Sequence, residues 1–551
     1  MSRSLRLLTI LGLLLAPLTA VAQEQAPPQE PTPAIEPETQ SVPDALDDEE
    51  DPRALRLSLG ETIRATVENN LGVRLNEYDY RITGEQARSA LGLFDWNTFA
   101  TASLGDFQPA AEEAPIIESM VFNAGVRQDV STGGGYTLSF NNSEQTVFEP
   151  AYESEFNFAL NQPLLRDFGV DVTRRQINIA RNTLGISEEA FRNALMFGVR
   201  GAEQAYYDLI FARENLEVVQ QSLELAVDQA RITQIRIDVG ASAPLDILEP
   251  RVAIATREEQ VISAEALVRD AEDRLRRWMN LPASEWDRPI IPTDPIEYTP
   301  VEVDLEASVA RAYELKPQVR QAALNTQIEE IEYLYARNQV LPQLDLRLNY
   351  GVAGAGGTQI IRDPQTNEPI GVVRGEFSDA LDQVFGMDFP SWTATINVGV
   401  PIRNITRRAQ RRAAQLDLER AVQSREDVEQ EIAVFVRQAA RSIETAARQI
   451  AASQAAREAA EQNLEAERRR FENGMSTNFD VLRVQQQLTE ARSRELAAVV
   501  DYNQAVTEYH FAVGDLLQMR GIDVDARTPD YELPHSTLER VDWLNFGYWA
   551  D

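Results

Sequence analysis

Apolar residues recur at alternating three- and four-residue spacings in two long stretches, one after Pro163 and one after Pro401. Each stretch covers roughly 65 residues, which predicts a helix on the order of 100 Å long. Such spacing is typical of a coiled-coil seam, although an ordinary long helical hairpin would explain the same periodicity. The seam residues are Leu209, Ala212, Leu216, Val219, Leu223 and Ala226, and Ile432, Val436, Ala439, Ile443, Ala446 and Ile450.

Between these stretches lie short segments in which apolar and polar residues alternate with the period of a β-strand. In the clearest of them, Leu344, Leu348 and Tyr350 share one face. Each segment has about the 9 to 11 residues that a tilted strand needs to cross hydrocarbon, but strands of a soluble antiparallel sheet alternate in the same way. We predict strands at about 96–106, 154–163, 343–352 and 391–401.

Aromatic residues cluster near the ends of these segments, as they do at the interfaces of a membrane. This favours the membrane interpretation of the strands. The residues are Phe94, Trp96, Phe99, Phe148, Tyr152, Phe156 and Trp392.

Two further glycine-rich segments are predicted to be loops. Residues 122–130 and 136–141 form a hairpin around Gly133, which could add a pair of strands to the sheet but which we expect to be part of an external loop. Residues 354–357 resemble a phosphate-binding loop only superficially, because no evident helix follows them, and we expect a flexible loop tip.

The chain contains the same unit twice. Leu59 matches Leu305 and Arg74 matches Arg320 at an offset of 246, Pro163 matches Pro401 at 238, and Gln204 matches Gln438 at 234. The stretch GASAPLDIL at 240–248 returns as GMSTNFDVL at 474–482. Collinear offsets that change only in probable loops indicate an internal duplication.

The duplication suggests the following organisation, in which Arg3, Arg6 and an apolar run ending at Leu18 form a secretory signal. We predict a signal peptide at 1–22, a disordered proline-rich acidic linker at 23–53, a first repeat at 54–285, a linker at 286–302, a second repeat at 303–520 and a C-terminal periplasmic tail at 521–551.

Composition narrows the possible functions. The formal net charge is −35, so the surface would repel nucleic acid, and we predict no nucleic-acid partner. The chain has no cysteine and only two histidines, His510 and His535, and it lacks nucleotide-binding and nucleophile-elbow motifs. We therefore predict that it is not an enzyme and that it has no catalytic residues, metal site or cofactor.

Four strands in one chain are too few to close a barrel, for which about eight are needed. Several chains must therefore contribute to a pore. Three copies would supply twelve strands and, beyond them, twelve long helical segments arranged as a tube.

At this point the sequence resembles the TolC family of outer-membrane efflux and secretion channels. The resemblance rests on the duplicated layout, the strand exits NQPLL at 161–165 and VGVPI at 398–402, and two Gly-x-Ser-x-x-x-Asp-[IV]-Leu turns. It implies an α+β, mostly α fold. In this fold a homotrimer shares a twelve-stranded outer-membrane β-barrel that continues into a long periplasmic α-helical barrel.

The resemblance also implies the function and the partners. The chain would be the outer-membrane exit duct of a tripartite efflux pump or a type I secretion system, conducting substrate passively. Its partners would be outer-membrane lipid, a periplasmic adaptor (membrane fusion) protein and an inner-membrane pump. A soluble periplasmic coiled-coil scaffold or adaptor-like protein is the alternative.

The resemblance places the functional residues at the periplasmic tips. The residues implied in adaptor contact are Gly240, Ser242, Leu245, Asp246, Gly474, Ser476 and Phe479. The residues implied in the gate are Asp480, Arg483, Phe471 and Asp246. Phe471 stands where the family often has Tyr, Ser476 where it has Arg, and Arg483 where it has a second Asp.

A purely local role would explain the tip residues as well. Thr477 can cap the following helix with Asp480 at its third position, and Pro244 suits a first helical position with Asp246 at the third. Gly240 and Gly474 suit left-handed helix caps.

Overall fold

The computed structural model describes residues 52–108, 115–147, 150–366 and 368–524. Nearly all of them belong to a single unit that begins at Arg53. The predicted signal peptide, most of the 23–53 linker, the aromatic residue Phe148 and the tail beyond residue 524 lie outside the described residues.

Eleven α-helices are found in the described ranges, and four of them are longer than 30 residues. They are α1 (Leu59–Asn69), α2 (Leu71–Leu91), α3 (Val170–Thr173), α4 (Arg175–Asp238), α5 (Leu248–Met279), α6 (Leu305–Leu315), α7 (Pro317–Asn338), α8 (Phe377–Gly386), α9 (Ile405–Glu472), α10 (Asn478–Val513) and α11 (Leu516–Met519).

Nine β-strands are found in the same part of the chain. They are β1 (Leu55–Leu57), β2 (Asn97–Phe107), β3 (Ile117–Asp129), β4 (Gly135–Thr146), β5 (Pro150–Pro163), β6 (Ile290–Pro292), β7 (Gln343–Arg362), β8 (Pro369–Arg374) and β9 (Pro390–Gly399).

The short helices of the two repeats follow the predicted offset. Helices α1 and α6 have the same length and begin 246 residues apart. Helices α2 and α7 also begin 246 residues apart. The Ser58 and Glu61 side chains form the predicted capping box on α1. Pro317 occupies the first turn of α7, where its missing N–H costs nothing.

The long helices have the predicted length and change neighbours along their course. Helix α4 has 64 residues and α9 has 68. Near the sheet the helices pack in the order α2, α4, α7, α9, and towards the tips the order is α5, α4, α10, α9. Helices α4 and α9 therefore belong to both halves of the helical region.

The described strands form a seven-stranded antiparallel sheet and a separate two-stranded parallel pairing of β1 with β6. In the large sheet β2, β3, β4, β5, β7 and β9 follow one another, and β8 pairs with the far end of β7. Our expectation that the β3–β4 hairpin is an external loop is wrong, because both strands are paired along their full length within the sheet. A count of four strands per chain, or twelve per trimer, no longer follows.

The two faces of the sheet differ in polarity. Residues that pair directly across antiparallel strands share a face. One row runs Val126, Leu138, Phe158, Tyr350 and Trp392, and the row beside it on the opposite face consists of polar and small residues. That second row is Arg127, Thr137, Ala159, Asn349 and Thr393.

Strand β7 is ten residues longer than predicted, and the expected loop at 354–357 is wrong. These residues pair with β5 and pass beneath α8. A Cβ atom at Gly354 would lie 2.0 Å from the Ala380 carbonyl oxygen, and one at Gly356 would lie 2.2 Å from that of Glu376. The glycines therefore allow a close approach of the helix to the sheet. A glycine-rich sequence at such a contact looks the same as a glycine-rich loop.

Two apolar clusters hold the middle of the helical region together. One joins α1, α2 and α4 to the C-terminal segment through Leu516, Leu517 and Val524, and the other joins α6 and α7 to α9 and α10. Glu203 of α4 is fully buried and accepts two hydrogen bonds from Arg520, at 2.7 and 2.8 Å. None of the helices in the described ranges has an apolar stretch of the length that a bilayer crossing requires.

Candidate functional site

The two helical hairpins, α4–α5 and α9–α10, end in matching tips. Gly240 has φ +75° and Gly474 has φ +74°, so both adopt the left-handed conformation that the sequence predicts for the helix ends. The N–H groups of the residues that follow them, Ala241 and Met475, donate to the carbonyls of Arg236 and Arg470 at 2.7 and 2.8 Å. Each tip is thus a Schellman cap.

The tip aspartates have the predicted local roles. The Asp480 N–H donates to the Thr477 hydroxyl oxygen at 3.3 Å, and the Thr477 hydroxyl donates to Asp480 Oδ2 at 2.8 Å. This hydrogen bond holds the pKa of Asp480 below its usual value, and Arg483, 3.4 Å away, adds to the effect. In the other tip Asp246 accepts from the Ala243 N–H at 2.9 Å, and Pro244 begins a short 3₁₀ turn.

Large apolar side chains are exposed at both tips. Leu245 is 74% exposed, Phe479 is 59% exposed and Met475 is exposed as well. Ser242 and Ser476 are half-buried, and the Ser476 hydroxyl donates to Glu467. The tips therefore present apolar surface on rigid, capped turns.

Phe471 has a different position from the other predicted gate residues. Its ring is only 8% exposed and lies 4.7 Å from the guanidinium of Arg236, across the boundary between the two hairpins. Arg236 also donates to the Phe471 carbonyl oxygen at 2.9 Å. The structure thus brings Phe471 together with a residue that the sequence did not single out, while Asp480 and Arg483 pair with each other on α10.

Arg236 is the last of several polar residues on α4 that face the second hairpin. They are seven residues apart, which keeps them on one stripe of the helix. We call this set the polar seam; it consists of Asp208, Asn215, Ser222, Gln229 and Arg236.

Each member of the polar seam has a partner across the boundary. Gln229 donates to Asn478 Oδ1 at 2.8 Å, and Thr233 donates to the same oxygen. The Thr489 hydroxyl donates to Ser222 at 2.9 Å. Farther from the tips, Ser493 donates to Asn215 at 2.8 Å and Gln504 donates to Asp208 at 2.8 Å.

Helix α5 reaches the seam through Arg257, which is 3% exposed. Arg257 donates to the Ser222 carbonyl at 2.7 Å and to Gln485 Oε1 at 3.2 Å, both of them neutral oxygens. Its burial lowers its pKa from the usual value. Arg257 therefore ties three helices together at one level of the seam.

The two helices of the second hairpin contact each other differently from the way the two hairpins contact each other. Leu464 of α9 packs against Val484 and Leu488 of α10, and farther from the tip Ile443 and Ala446 belong to one apolar cluster with Ala498. Two ion pairs also join the helices of this hairpin, Arg457 with Glu495 and Arg492 with Glu461. The hairpin is therefore held by apolar clusters and charged pairs, whereas the contact between hairpins consists of hydrogen bonds between mostly neutral polar side chains. The apolar positions alone did not predict this contrast. The seven-residue spacing of the polar residues is nevertheless present in the sequence.

Comparison with known structures shows the same fold in outer-membrane channels. The Campylobacter jejuni CmeC outer membrane channel superposes with a TM-score of 0.62 at 14% identity, over 86% of this chain and 87% of that one. The Vibrio cholerae outer membrane protein VceC gives 0.60 at 13%, over 83% and 96%. The open state of the Neisseria gonorrhoeae MtrE outer membrane channel gives 0.57 at 16%, over 83% and 89%.

A protein-family profile described as "Outer membrane efflux protein" matches residues 129–281 and 309–515, and so covers more than half of the chain. Strand β2 and nearly all of β3 precede the first matched stretch. None of the curated protein sequences matches the chain. The profile match and the shared channel fold show that the chain belongs to the outer membrane efflux protein family, as an outer-membrane exit duct that extends into the periplasm.

Proposed function

We propose that the chain works as a homotrimer that conducts substrate passively from the periplasm to the exterior, with a gate at the polar seam. A periplasmic adaptor would dock at the tips, and an inner-membrane pump, or the energised component of a type I secretion system, would supply the energy. Conduction itself then requires only a lined passage and a way to open it.

The sheet suits the wall of such a passage. Its apolar face carries exposed Phe156, Phe158, Tyr350 and Trp392, which fit a lipid surface. The opposite face carries asparagine, serine and threonine, which fit a water-filled lumen.

The tips suit adaptor docking. Exposed Leu245, Met475 and Phe479 project from turns whose backbones are fixed by Schellman caps. Rigid apolar anchors of this kind supply most of the binding energy of protein interfaces. Gly240, Ser242, Asp246, Gly474 and Ser476 would complete the contact surface.

The observation that carries the gate is the difference between the polar seam and the interior of the second hairpin, where apolar clusters and two ion pairs join α9 to α10. A neutral hydrogen bond contributes only about 0.5 to 1.5 kcal/mol net, because water replaces it when it breaks. Separated apolar side chains gain no such replacement and lose about 25 cal/mol per Å². A hairpin should therefore swing as a unit, with the seam opening first.

Phe471 and Arg236 occupy the position nearest the tip and would open before the rest. Asp480, Arg483 and Asp246 would set the charge of the aperture around them. An adaptor that binds the splayed tips more tightly than the closed ones would shift the equilibrium towards the open state.

Single-channel conductance in planar bilayers tests the gate. Arg236→Ala removes both contacts with Phe471 and should raise conductance several-fold. Arg231→Ala is the matched control: it lies five residues earlier on α4 and pairs at 2.6 Å with Asp228 of its own helix. Equal conductance of Arg236→Ala and the unaltered protein would contradict the seam gate.

Location and assembly are tested separately. Membrane fractionation with heat-modifiable electrophoresis should recover the protein as an outer-membrane trimer. Recovery from the soluble periplasm would instead favour a coiled-coil scaffold, and would contradict the duct whatever the conductance results.

A further inference from the structure

We propose that the β3–β4 hairpin is part of the pore wall, so that three copies of the chain build a wall of eighteen strands. The proposal rests on the trimeric duct proposed above and adds its dimensions and lining. It differs from the twelve-stranded barrel that the family resemblance implies.

In its half nearer the helices the hairpin continues both faces of the sheet; farther out, Asn142 and Glu144 fall on the apolar face. On the apolar face, Ala124 pairs with Phe140, which pairs with Phe156, which pairs with Val352. On the polar face, Asn123 pairs with Asn141, and Gly125 pairs with Ser139. An external loop has no need of this alternation, whereas a strand between lipid and water requires it.

The turn of the hairpin lies at the helical end of the sheet. The Thr132 hydroxyl donates to Gln162 Oε1 at 2.8 Å, and the Gly169 N–H donates to the Thr132 carbonyl at 3.1 Å. Gly133 has φ +92°, and a Cβ atom there would lie 2.1 Å from the Asp167 carbonyl oxygen. The hairpin therefore spans the whole distance from the outer end of the sheet to the junction with α4.

The edges of the sheet fit a second copy of the chain. Among the described strands, β2 pairs only with β3, and β9 pairs only with β7. Strand β2 follows α2 and runs away from the helices, whereas β9 runs back towards α9. Placing β9 of one copy beside β2 of the next gives an antiparallel pair, so identical copies close a ring in which strands alternate in direction.

The width of six strands matches the helices beneath them. Strands spaced about 4.8 Å apart and tilted about 40° occupy about 38 Å for six and about 25 Å for four. The four adjacent helices α2, α4, α7 and α9, at about 8 to 10 Å each, occupy about 32 to 40 Å. Six strands cover this row at an ordinary tilt, while four would need a steeper one.

The added hairpin changes the exit. Barrel diameter grows roughly in proportion to strand number, so eighteen strands give a diameter about 1.5 times that of twelve at the same tilt. The added lining is largely uncharged and polar, with Asn123, Ser139, Asn141 and Ser143 on the lumen face. The sheet end of the duct is therefore a wide, hydrated exit.

The absence of cysteine from the chain allows a clean accessibility test in the assembled outer-membrane protein. Leu138→Cys and Ser139→Cys on β4 are compared with Phe158→Cys and Asn157→Cys, their direct partners on β5. With a small impermeant thiol reagent we expect Ser139→Cys and Asn157→Cys to react at least tenfold faster than the other two. Fluorophores at 138 and 158 should be quenched by nitroxide lipids.

Two failures are distinguishable. Fast reaction at both 138 and 139, with alternation preserved at 157 and 158, would place the hairpin outside the wall and overturn the proposal alone. Loss of alternation at 157 and 158 as well would overturn the proposed duct together with it.

A deletion tests the strand number directly. Replacing residues 109–149 by a short Gly-Ser turn joins the outer ends of β2 and β5, which run in opposite directions and can pair. In end-on views of nanodisc-embedded trimers by cryo-electron microscopy, we expect eighteen strands before the deletion and twelve after it, with the diameter falling by about one third. Twelve strands in the unaltered protein would overturn the proposal, even if the deletion variant fails to fold.

Discussion

The two repeats share a helical frame but differ in what they add to it. Helices α1 and α2 return as α6 and α7 at a constant offset, and both long hairpins end in the same Schellman turn. Between their flanking strands, however, the first repeat carries a full hairpin in the sheet, whereas the second carries the short strand β8 and helix α8.

The difference shows where a duplicated chain is free to change. A helix that packs on both sides fixes the position of its neighbours, so the frame is constrained in both copies. A strand connection at the outer end of the sheet is not part of this helix packing, so its length can change. Single polar contacts on the frame have also diverged, and the variants below compare equivalent positions in the two copies.

The largest loss of stability is expected at Glu203, which the C-terminal segment covers in the first repeat but not at the equivalent position of the second. Glu203 is buried against Arg520 and Thr507, while its equivalent in the second repeat, Arg437, is exposed. Glu203→Ala removes the carboxylate that pairs with Arg520 and should destabilise the protein by about 3 to 5 kcal/mol. Arg437→Ala should change stability by less than about 0.5 kcal/mol. The thermal midpoint of the assembled protein measures both effects, and equal shifts for the two variants would contradict the assignment.

The next effect concerns the hairpin that only the first repeat possesses. Gly133→Val combines an unfavourable φ with a collision at the Asp167 carbonyl and should cost about 3 kcal/mol. Gly105→Ala, elsewhere in the same sheet, meets only the Ser119 hydroxyl oxygen at 3.6 Å and serves as the control. The yield of folded, heat-modifiable protein on gels should fall for Gly133→Val alone. Equal yields would show that the hairpin turn is not held against the segment between β5 and α3.

The break between the short helices gives an effect that depends on pH. In the first repeat Asn70 caps α2; in the second, the equivalent Lys316 is buried, with Nζ 3.9 Å from the ring centre of Phe511. Burial lowers the pKa of Lys316 from 10.5 to about 8, while nearby Glu508 opposes the shift and Arg200 adds to it. Between these values the unfolded chain retains a proton that the folded chain has released, so stability should rise with pH by about 1 to 3 kcal/mol.

Lys316→Met should remove this rise between about pH 8 and 10.5. Asn70→Ala should cost about 1 to 2 kcal/mol at every pH, because it removes a cap and a hydrogen bond to the Trp278 carbonyl, neither of which titrates. Thermal midpoints at pH 7.5, 9 and 10.5 compare the two. If stability still rises with pH in Lys316→Met, another titrating group causes the rise.

The smallest stability effect is expected at the tips. Asp480→Ala and Asp246→Ala each remove a carboxylate from the start of a helix and should loosen the first turn locally. Amide hydrogen exchange at residues 478–481 and 245–248 should become several-fold faster. For conductance, Asp480→Ala combined with Phe471→Ala should give a several-fold rise, most of it from Phe471→Ala. A rise carried by Asp480→Ala alone would assign gating to the carboxylate beyond its capping role.

The parts that the sequence predicted well are those that local chemistry determines. The capping box at Ser58, the break at Pro317, the left-handed Gly240 and Gly474 and the long helices follow from backbone preferences and periodicity. The cap of Thr477 on Asp480 is of the same kind.

The parts that were mispredicted depend on neighbours distant in sequence. Glycines at 133 and 354–357 suggest flexibility, yet each allows a close approach to a backbone far along the chain. The pairing of β3 with β2 and of β4 with β5 could not be told from a loop hairpin, since strand alternation is the same in both. Arg257 gave no signal, because its partners lie on two other helices.

The clamp of Arg520 on Glu203 also determines how far a tip can travel. From residue 203 to the end of α4 there are 35 residues, so the unclamped arm is about 50 Å long. A rotation of only about 10° about that point would carry the tip sideways by about 9 Å, roughly the diameter of a helix. If the proposed gate opens by such a rotation, a modest angular change near the middle of the molecule would produce an aperture large enough for a solute to pass.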